Sequence, residues 1–174
     1  MKICNTIVGL KTNRSIDLEK FCSKNTTACK YNPHRFPGLS FKIMDPKTTI
    51  LVFKTGNLVC TGAKTIEDAY DSLRKVLDLL NFPLKLVEFA QVHNYVGTGS
   101  IDHDIDLHKV YKMCSLNAVY EAEIFPGLVY KFKKHRVTVL IFPSGKFVIT
   151  GSRYLGDLSR SELGIQIMLK NCLK

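Results

Sequence analysis

Tyr31-Asn32-Pro33-His34-Arg35-Phe36-Pro37-Gly38-Leu39 and Tyr120-Glu121-Ala122-Glu123-Ile124-Phe125-Pro126-Gly127-Leu128 stand 89 positions apart and share Tyr and Phe-Pro-Gly-Leu at matching places. The same offset lays Asn5 on Asn94, Asp17-Leu18 on Asp106-Leu107, and Lys42 on Lys131. It also lays Thr49 on Thr138, Leu51 on Leu140, and Phe53 on Phe142. Gly56, Val59 and Thr61-Gly62 then fall on Gly145, Val148 and Thr150-Gly151, with no gap through the matched stretch. Bulky and turn residues recurring in one register mean an internal duplication, and a unit this long is no solenoid repeat. The expectation is two copies of one half-domain, residues 1–85 and 86–174, related by an approximate twofold axis.

Within the first copy, residues 2–9 read as a strand, and Asp17 to Ser23 as a helix capped by Ser15 or Asp17. Leu39 to Met44 alternates like a strand, and Asp45-Pro46-Lys47 supplies a turn. Thr48 to Phe53 and Leu58 to Thr61 read as two more strands about a Lys54-Thr55-Gly56-Asn57 turn. From Thr65, the spacing of Ile66, Ala69, Tyr70, Leu73, Val76, Leu77 and Leu80 predicts an amphipathic helix ending near Asn81. The second copy repeats the order, with strands at 91–98, 127–133, 137–142 and 147–150. Its helices fall near 106–113 and from about 156 to 172, the last interrupted by Gly156 and Gly164. The fold class is α+β: an antiparallel sheet with helices on one face.

Strand alternation sorts Thr48 to Phe53 into two faces, Ile50 and Val52 on one and Thr49, Leu51 and Phe53 on the other. Both are apolar. With helices over one face, the other offers Leu51, Phe53, Val59 and Thr61, and their counterparts Leu140, Phe142, Val148 and Thr150, to a partner. The net charge of +10, from 25 Lys+Arg against 15 Asp+Glu, favours a polyanion. The six cysteines lack C-x-x-C spacing and read as reduced, mostly buried small hydrophobes, from which an intracellular location is expected. No apolar run resembles a signal peptide or a membrane span. The five histidines lack metal-ligand spacing, Asp102-His103-Asp104 reads as a loop, and neither a phosphate loop nor a nucleophile elbow is present. Neither a cofactor nor catalysis is expected.

Five segments carry a family resemblance over essentially the whole chain: 31–36, 48–56, 59–64, 120–130 and 139–146. Together they resemble the signature segments of the TATA-binding protein core. The resemblance implies a pseudo-twofold saddle, a ten-stranded curved antiparallel sheet with helices on the convex face. It implies a general transcription initiation factor that binds double-stranded DNA at the TATA element. Kinking of the minor groove, by about 80° in TATA-binding protein itself, comes from inserted phenylalanines. By motif position the intercalating pairs are Phe36 with Phe53 and Phe125 with Phe142.

Asn5 and Asn94, beside Thr61 and Thr150, are implied near the centre of the minor-groove floor. Amide and hydroxyl donors suit the adenine N3 and thymine O2 acceptors there. The same resemblance implies that Ile7, Val59, Val96 and Val148, with Leu51 and Leu140, fill a floor on which a guanine amino group would clash or go unpaired. Phosphate contacts are expected from Arg35, Lys42, Lys64, Lys131, Arg136, Lys146 and Arg153. Glu121, Glu123 and Ile124 resemble the family's contact with transcription factor IIB. Arg74 and Lys75 lie where relatives meet regulators. The partners implied are transcription factor IIB-like and IIA-like general factors and the RNA polymerase machinery, in the nucleus or at a site of viral transcription. Pairing of two copies as a homodimer without DNA is left open.

Several features depart from the family pattern. The helix of the first copy is about three residues shorter than usual and carries Asp71 and Asp78, and Asn57 replaces a frequent cation. The chain starts almost at its first strand, without the long variable tail of eukaryotic members. These features suit a divergent protist, microsporidian or viral member. Two rivals to the DNA-kinking reading are a related factor that has lost TATA preference and an accessory domain of a nuclease or glycosylase. Retention of four wedge phenylalanines and two Asn/Thr pairs opposes the first rival, and the second is disfavoured by the expectation that no nuclease or glycosylase domain accompanies the two repeats.

Overall fold

A computed structural model describes residues 1–173, which form two compact units. One unit is Asn5–His93; the other joins Met1–Cys4 to the chain from Asn94 onward. The strands are β1 (Lys2–Lys11), β2 (Cys29–Lys30), β3 (Gly38–Ile43), β4 (Thr48–Phe53) and β5 (Asn57–Ala63), then β6 (Gln91–Ser100), β7 (Ala118–Val119), β8 (Leu128–Phe132), β9 (Val137–Ile141) and β10 (Lys146–Ser152). The first unit orders its strands β2-β3-β4-β5-β1, and the second β6-β10-β9-β8-β7. The helices are α1 (Leu18–Lys24), α2 (Ile66–Leu79), α3 (Leu107–Cys114) and α4 (Leu155–Lys170).

Helix starts follow local chemistry. Asp17, rather than Ser15, caps α1 by accepting the Lys20 N–H at 3.0 Å. Asp106 caps α3 by accepting from His108 and Lys109. The Lys109 N–H contributes most to holding the Asp106 carboxyl below its usual value. Thr65 and Asp68 form a reciprocal capping box on α2. In α4, Ser152 Oγ instead donates to Asp157 and accepts the Tyr154 N–H. The glycines do not stop α4, because Leu158, Ile165 and Leu169 are buried along one face and outweigh about 1 kcal/mol per helical glycine.

The structure adds two strands that the alternation does not reveal, β2 and β7, each too short for a period to show. It also adds 3₁₀ turns at Leu84–Phe89, Ser115–Asn117 and Lys133–His135. Met44 lies beyond β3, in the turn, and is exposed.

Each core lies between a sheet and its helices. In the first unit Val8, Leu39, Ile50, Val52, Leu58 and Leu73 are buried; in the second, Leu128, Val139, Phe147, Ile149, Leu158 and Ile165 are. Along β4 burial alternates residue by residue: Ile50 and Val52 are covered, while Thr49, Leu51 and Phe53 are half-exposed on the open face. Thr48 Oγ1 and Ser72 Oγ share a hydrogen bond of 2.7 Å inside the first core, beside Cys60. Burial pushes the Cys60 thiol up to about 11 and the Cys29 thiol up to about 12, keeping both neutral at physiological pH.

Candidate nucleic-acid interface

The open face of each unit is a ladder of cross-strand neighbours. In the first, Ser40 pairs with Leu51, Leu51 with Val59, and Val59 with Gly9. In the second, Val129 pairs with Leu140, Leu140 with Val148, and Val148 with Thr98. Ile7 and Val96 are half-buried beside these ladders.

Phenylalanine pairs close one end of each ladder. The Phe36 and Phe53 rings meet edge to face with centroids 5.8 Å apart; Phe125 and Phe142 do so at 5.9 Å, both at 65°. Each outer ring sits on a tight turn. Phe36 N–H donates to Asn32 O at 3.0 Å, and Phe125 N–H to Glu121 O at 2.9 Å. Phe36 is 41% exposed, an unusual place for a ring that could have entered the core.

At the other end stand the asparagines. Asn5 Oδ1 accepts the Gly62 N–H, and Asn94 Oδ1 the Gly151 N–H, both at 2.8 Å. Because a backbone N–H needs an acceptor, these bonds orient each amide, so that Nδ2 faces Thr61 Oγ1 at 3.4 Å and Thr150 Oγ1 at 3.0 Å. An amide NH₂ has two hydrogens, so one remains for an acceptor presented to the face. Gly62 and Gly151 are bulge residues, with φ of 87° and 110°, where the register of β5 and β10 slips against β1 and β6. Sequence reasoning missed their role, although Thr-Gly recurring at the common offset was a visible signal.

Arg35, Lys42, Lys64, Lys131, Arg136, Lys146 and Arg153 are all exposed, and among the described residues none of them forms an ion pair. Lys42 and Lys131 pair with Thr49 and Thr138, which puts them on the open face. Lys146 shares the open face with Val148 by alternation. The other four lie outside the strands, on the turns and strand ends of the two units. Glu121, Glu123 and Ile124 are exposed on the turn before Phe125, and Ile124 is 80% exposed.

One further residue enters the first face. The His93 imidazole lies where a side chain on Gly9 would point, beside a groove of about 450 Å³ bounded by Phe53, Val59, Lys11 and Phe89. A glycine inside a strand was the available sign of close approach. Among the described residues, no cluster of His, Cys, Asp or Glu could hold a metal, and no helix is long and apolar enough to cross a membrane.

A family model described as "Transcription factor TFIID (or TATA-binding protein, TBP)" matches residues 1–82 and again 89–171. The chain belongs to the TATA-binding protein family. The TATA-box-binding protein of Pyrobaculum neutrophilum is 37% identical over 173 residues, 98% of this chain and 87% of that protein. That of Archaeoglobus fulgidus is 36% identical over 165 residues, 92% of this chain and 90% of the relative. The Danio rerio protein is 35% identical over 98% of this chain, which matches 57% of the longer relative. A solved structure, Methanococcus jannaschii TBP, aligns with a TM-score of 0.79 at 33% identity, covering 98% of both chains. The fold is therefore the family's α+β fold with ten antiparallel strands. TATA-binding proteins are DNA-binding transcription factors that work with general transcription factors; the family is not one of enzymes.

Proposed function

We propose that this member of the TATA-binding protein family binds the minor groove of a TATA element, kinks it with its two phenylalanine pairs, and recruits a transcription factor IIB-like protein and RNA polymerase. One observation carries the reading: each open apolar face ends in an edge-to-face phenylalanine pair held at the surface. Unstacking a base step costs about a few kcal/mol. Burial of ring and floor offsets it at roughly 25 cal/mol per Å² of apolar surface removed from water. Asn5, Asn94, Thr61 and Thr150 supply donors to A·T edges, and the seven exposed cations supply the salt-dependent phosphate contacts.

The two faces are near-equivalent, so direction along DNA has to come from elsewhere. Glu121, Glu123 and Ile124 stand where the first copy has Asn32, His34 and Arg35, giving the second copy alone an acidic and apolar turn. A IIB-like factor reading that turn would orient the assembly, with a IIA-like factor as the further partner. Such a factor works on chromosomal DNA, in a nucleus or at a site of viral transcription.

The test is a mobility-shift and bending assay on a TATA duplex against a G·C-substituted duplex. Preferential, bent binding to the first is expected. Equal affinity for both, or binding without a bend, favours a relative that has lost TATA preference.

A further inference from the structure

Duplication provides an internal control for surface chemistry. Helices α2 and α4 begin at Ile66 and Leu155, positions related by the common 89-residue offset, so exposed positions on one have counterparts on the other. On α2, positions 71, 74, 75 and 78 are Asp, Arg, Lys and Asp, all exposed, as expected of a solvated helix face. On α4 the same positions hold Arg160, Leu163, Gly164 and Ile167. Leu163 is 60% exposed and Ile167 57%, and their four-residue spacing sets them side by side.

Between them Gly164 lowers the helix surface. A Cβ there would stand 3.0 Å from the Phe132 ring, so the ring lies close against the helix and floors a groove. Phe132 stacks on His135, with centroids 5.2 Å apart and planes 29° from parallel. The groove has a volume of about 550 Å³, with Lys134 and Arg160 at its rim. Asp157 lies at the same edge. Its carboxylate is engaged by Ser152 Oγ at 3.0 Å, with Arg160 at 3.8 Å and His135 at 3.9 Å, which leaves Lys134 without a local counter-charge from it.

We propose that this groove docks an acidic amphipathic segment of another protein. Its apolar side chains would sit between Leu163 and Ile167 over Phe132, and its carboxylates against Lys134 and Arg160. An apolar floor with cationic edges is the complement of such a helix. A second copy of this chain, itself carrying +10, is the poorer electrostatic match. The groove stands apart from the DNA reading, since Phe132 alternates with Lys131 and so faces away from the open sheet.

The experiment uses the full chain and a fluorescein-labelled helical peptide with Leu and Phe at i and i+4 among Glu and Asp residues. A scrambled version and a Lys-substituted version are the controls, and fluorescence anisotropy is the readout. Saturable binding of the acidic amphipath is expected, at least about tenfold tighter than either control. Leu163→Arg and Ile167→Asp install the first copy's residues at exposed positions. Each should weaken peptide binding at least about tenfold while the thermal melt and TATA-duplex affinity stay unchanged. The proposal is overturned by absent binding, by equal binding of the scrambled peptide, or by indifference to both substitutions. Wild-type self-association that these substitutions abolish would also overturn it, assigning the face to a second copy. Loss of TATA preference in the duplex assay would count against the DNA reading and leave the groove standing.

Discussion

Gly127 lies directly beneath the ring of Phe142: a Cβ at this position would stand 3.1 Å from Phe142 Cε1 and 2.7 Å from Phe125 Cε1. Gly38 bears the same relation to Phe36 and Phe53, at 2.6 and 2.9 Å. The glycine of each Phe-Pro-Gly segment is thus the space into which the ring pair closes. Gly127→Ala should splay the rings, costing about 1–3 kcal/mol of stability by overpacking and reducing the DNA bend more than the affinity. Fluorescence resonance energy transfer across an end-labelled duplex, beside a denaturant titration, measures both; an unchanged bend would show that the ring geometry is not what kinks the DNA.

The wedge and rim cations act on different terms of the binding energy. Phe142→Ala should weaken bent-complex formation far more than Lys146→Ala. The lysine variant should mainly lower the slope of log affinity against log salt, by about 0.9 for one lost phosphate contact. Equal effects of the two on bending would argue against insertion.

Asn94→Asp separates folding from reading. An aspartate still accepts the Gly151 N–H that the 2.8 Å bond requires, so the bulge should survive and the melting temperature should shift little. The amide donor is lost and an anion faces the groove floor instead. Affinity for a TATA duplex should fall by at least about 100-fold, near 3 kcal/mol, by fluorescence anisotropy. A small loss would mean that Asn94 serves the bulge alone.

Stability should decline at alkaline pH through Cys60. Burial raises its value from 9.0 to about 11, so the folded chain holds the proton more tightly than the unfolded chain does. Below pH 9 both states keep it and the contribution is constant; from pH 9 upward only the unfolded state releases it. The loss should reach about 2 kcal/mol by pH 11. Comparing urea denaturation of the parent and Cys60→Ala at pH 8 and pH 11 isolates the effect, and a variant with an undiminished pH slope would refute it.

The open face and the helix starts were legible in the chain because their determinants are local or repeated. Period-two alternation separates Ile50 and Val52 from Leu51 and Phe53 without any knowledge of the neighbouring strand. Helix starts at Asp17, Thr65 and Asp106 follow from side chains within three residues of the backbone groups they satisfy. The two-residue strands β2 and β7 were not legible, because they exist only through pairing with β3 and β8. Nor was the groove of α4, where Phe132 and Gly164 meet across a long stretch of chain.

By itself the sequence determined the duplication, the fold class and the two faces of each half, since each is written in periodicity or in recurrence at one offset. The pairing of Phe36 with Phe53 and of Phe125 with Phe142 was implied only by the family resemblance, and the tertiary structure brings those rings together. Only the tertiary structure decided how the asparagines point. The bulges at Gly62 and Gly151 arise from the register of β5 against β1 and of β10 against β6. Register depends on which residues of a distant strand come opposite, and no local pattern carries that information.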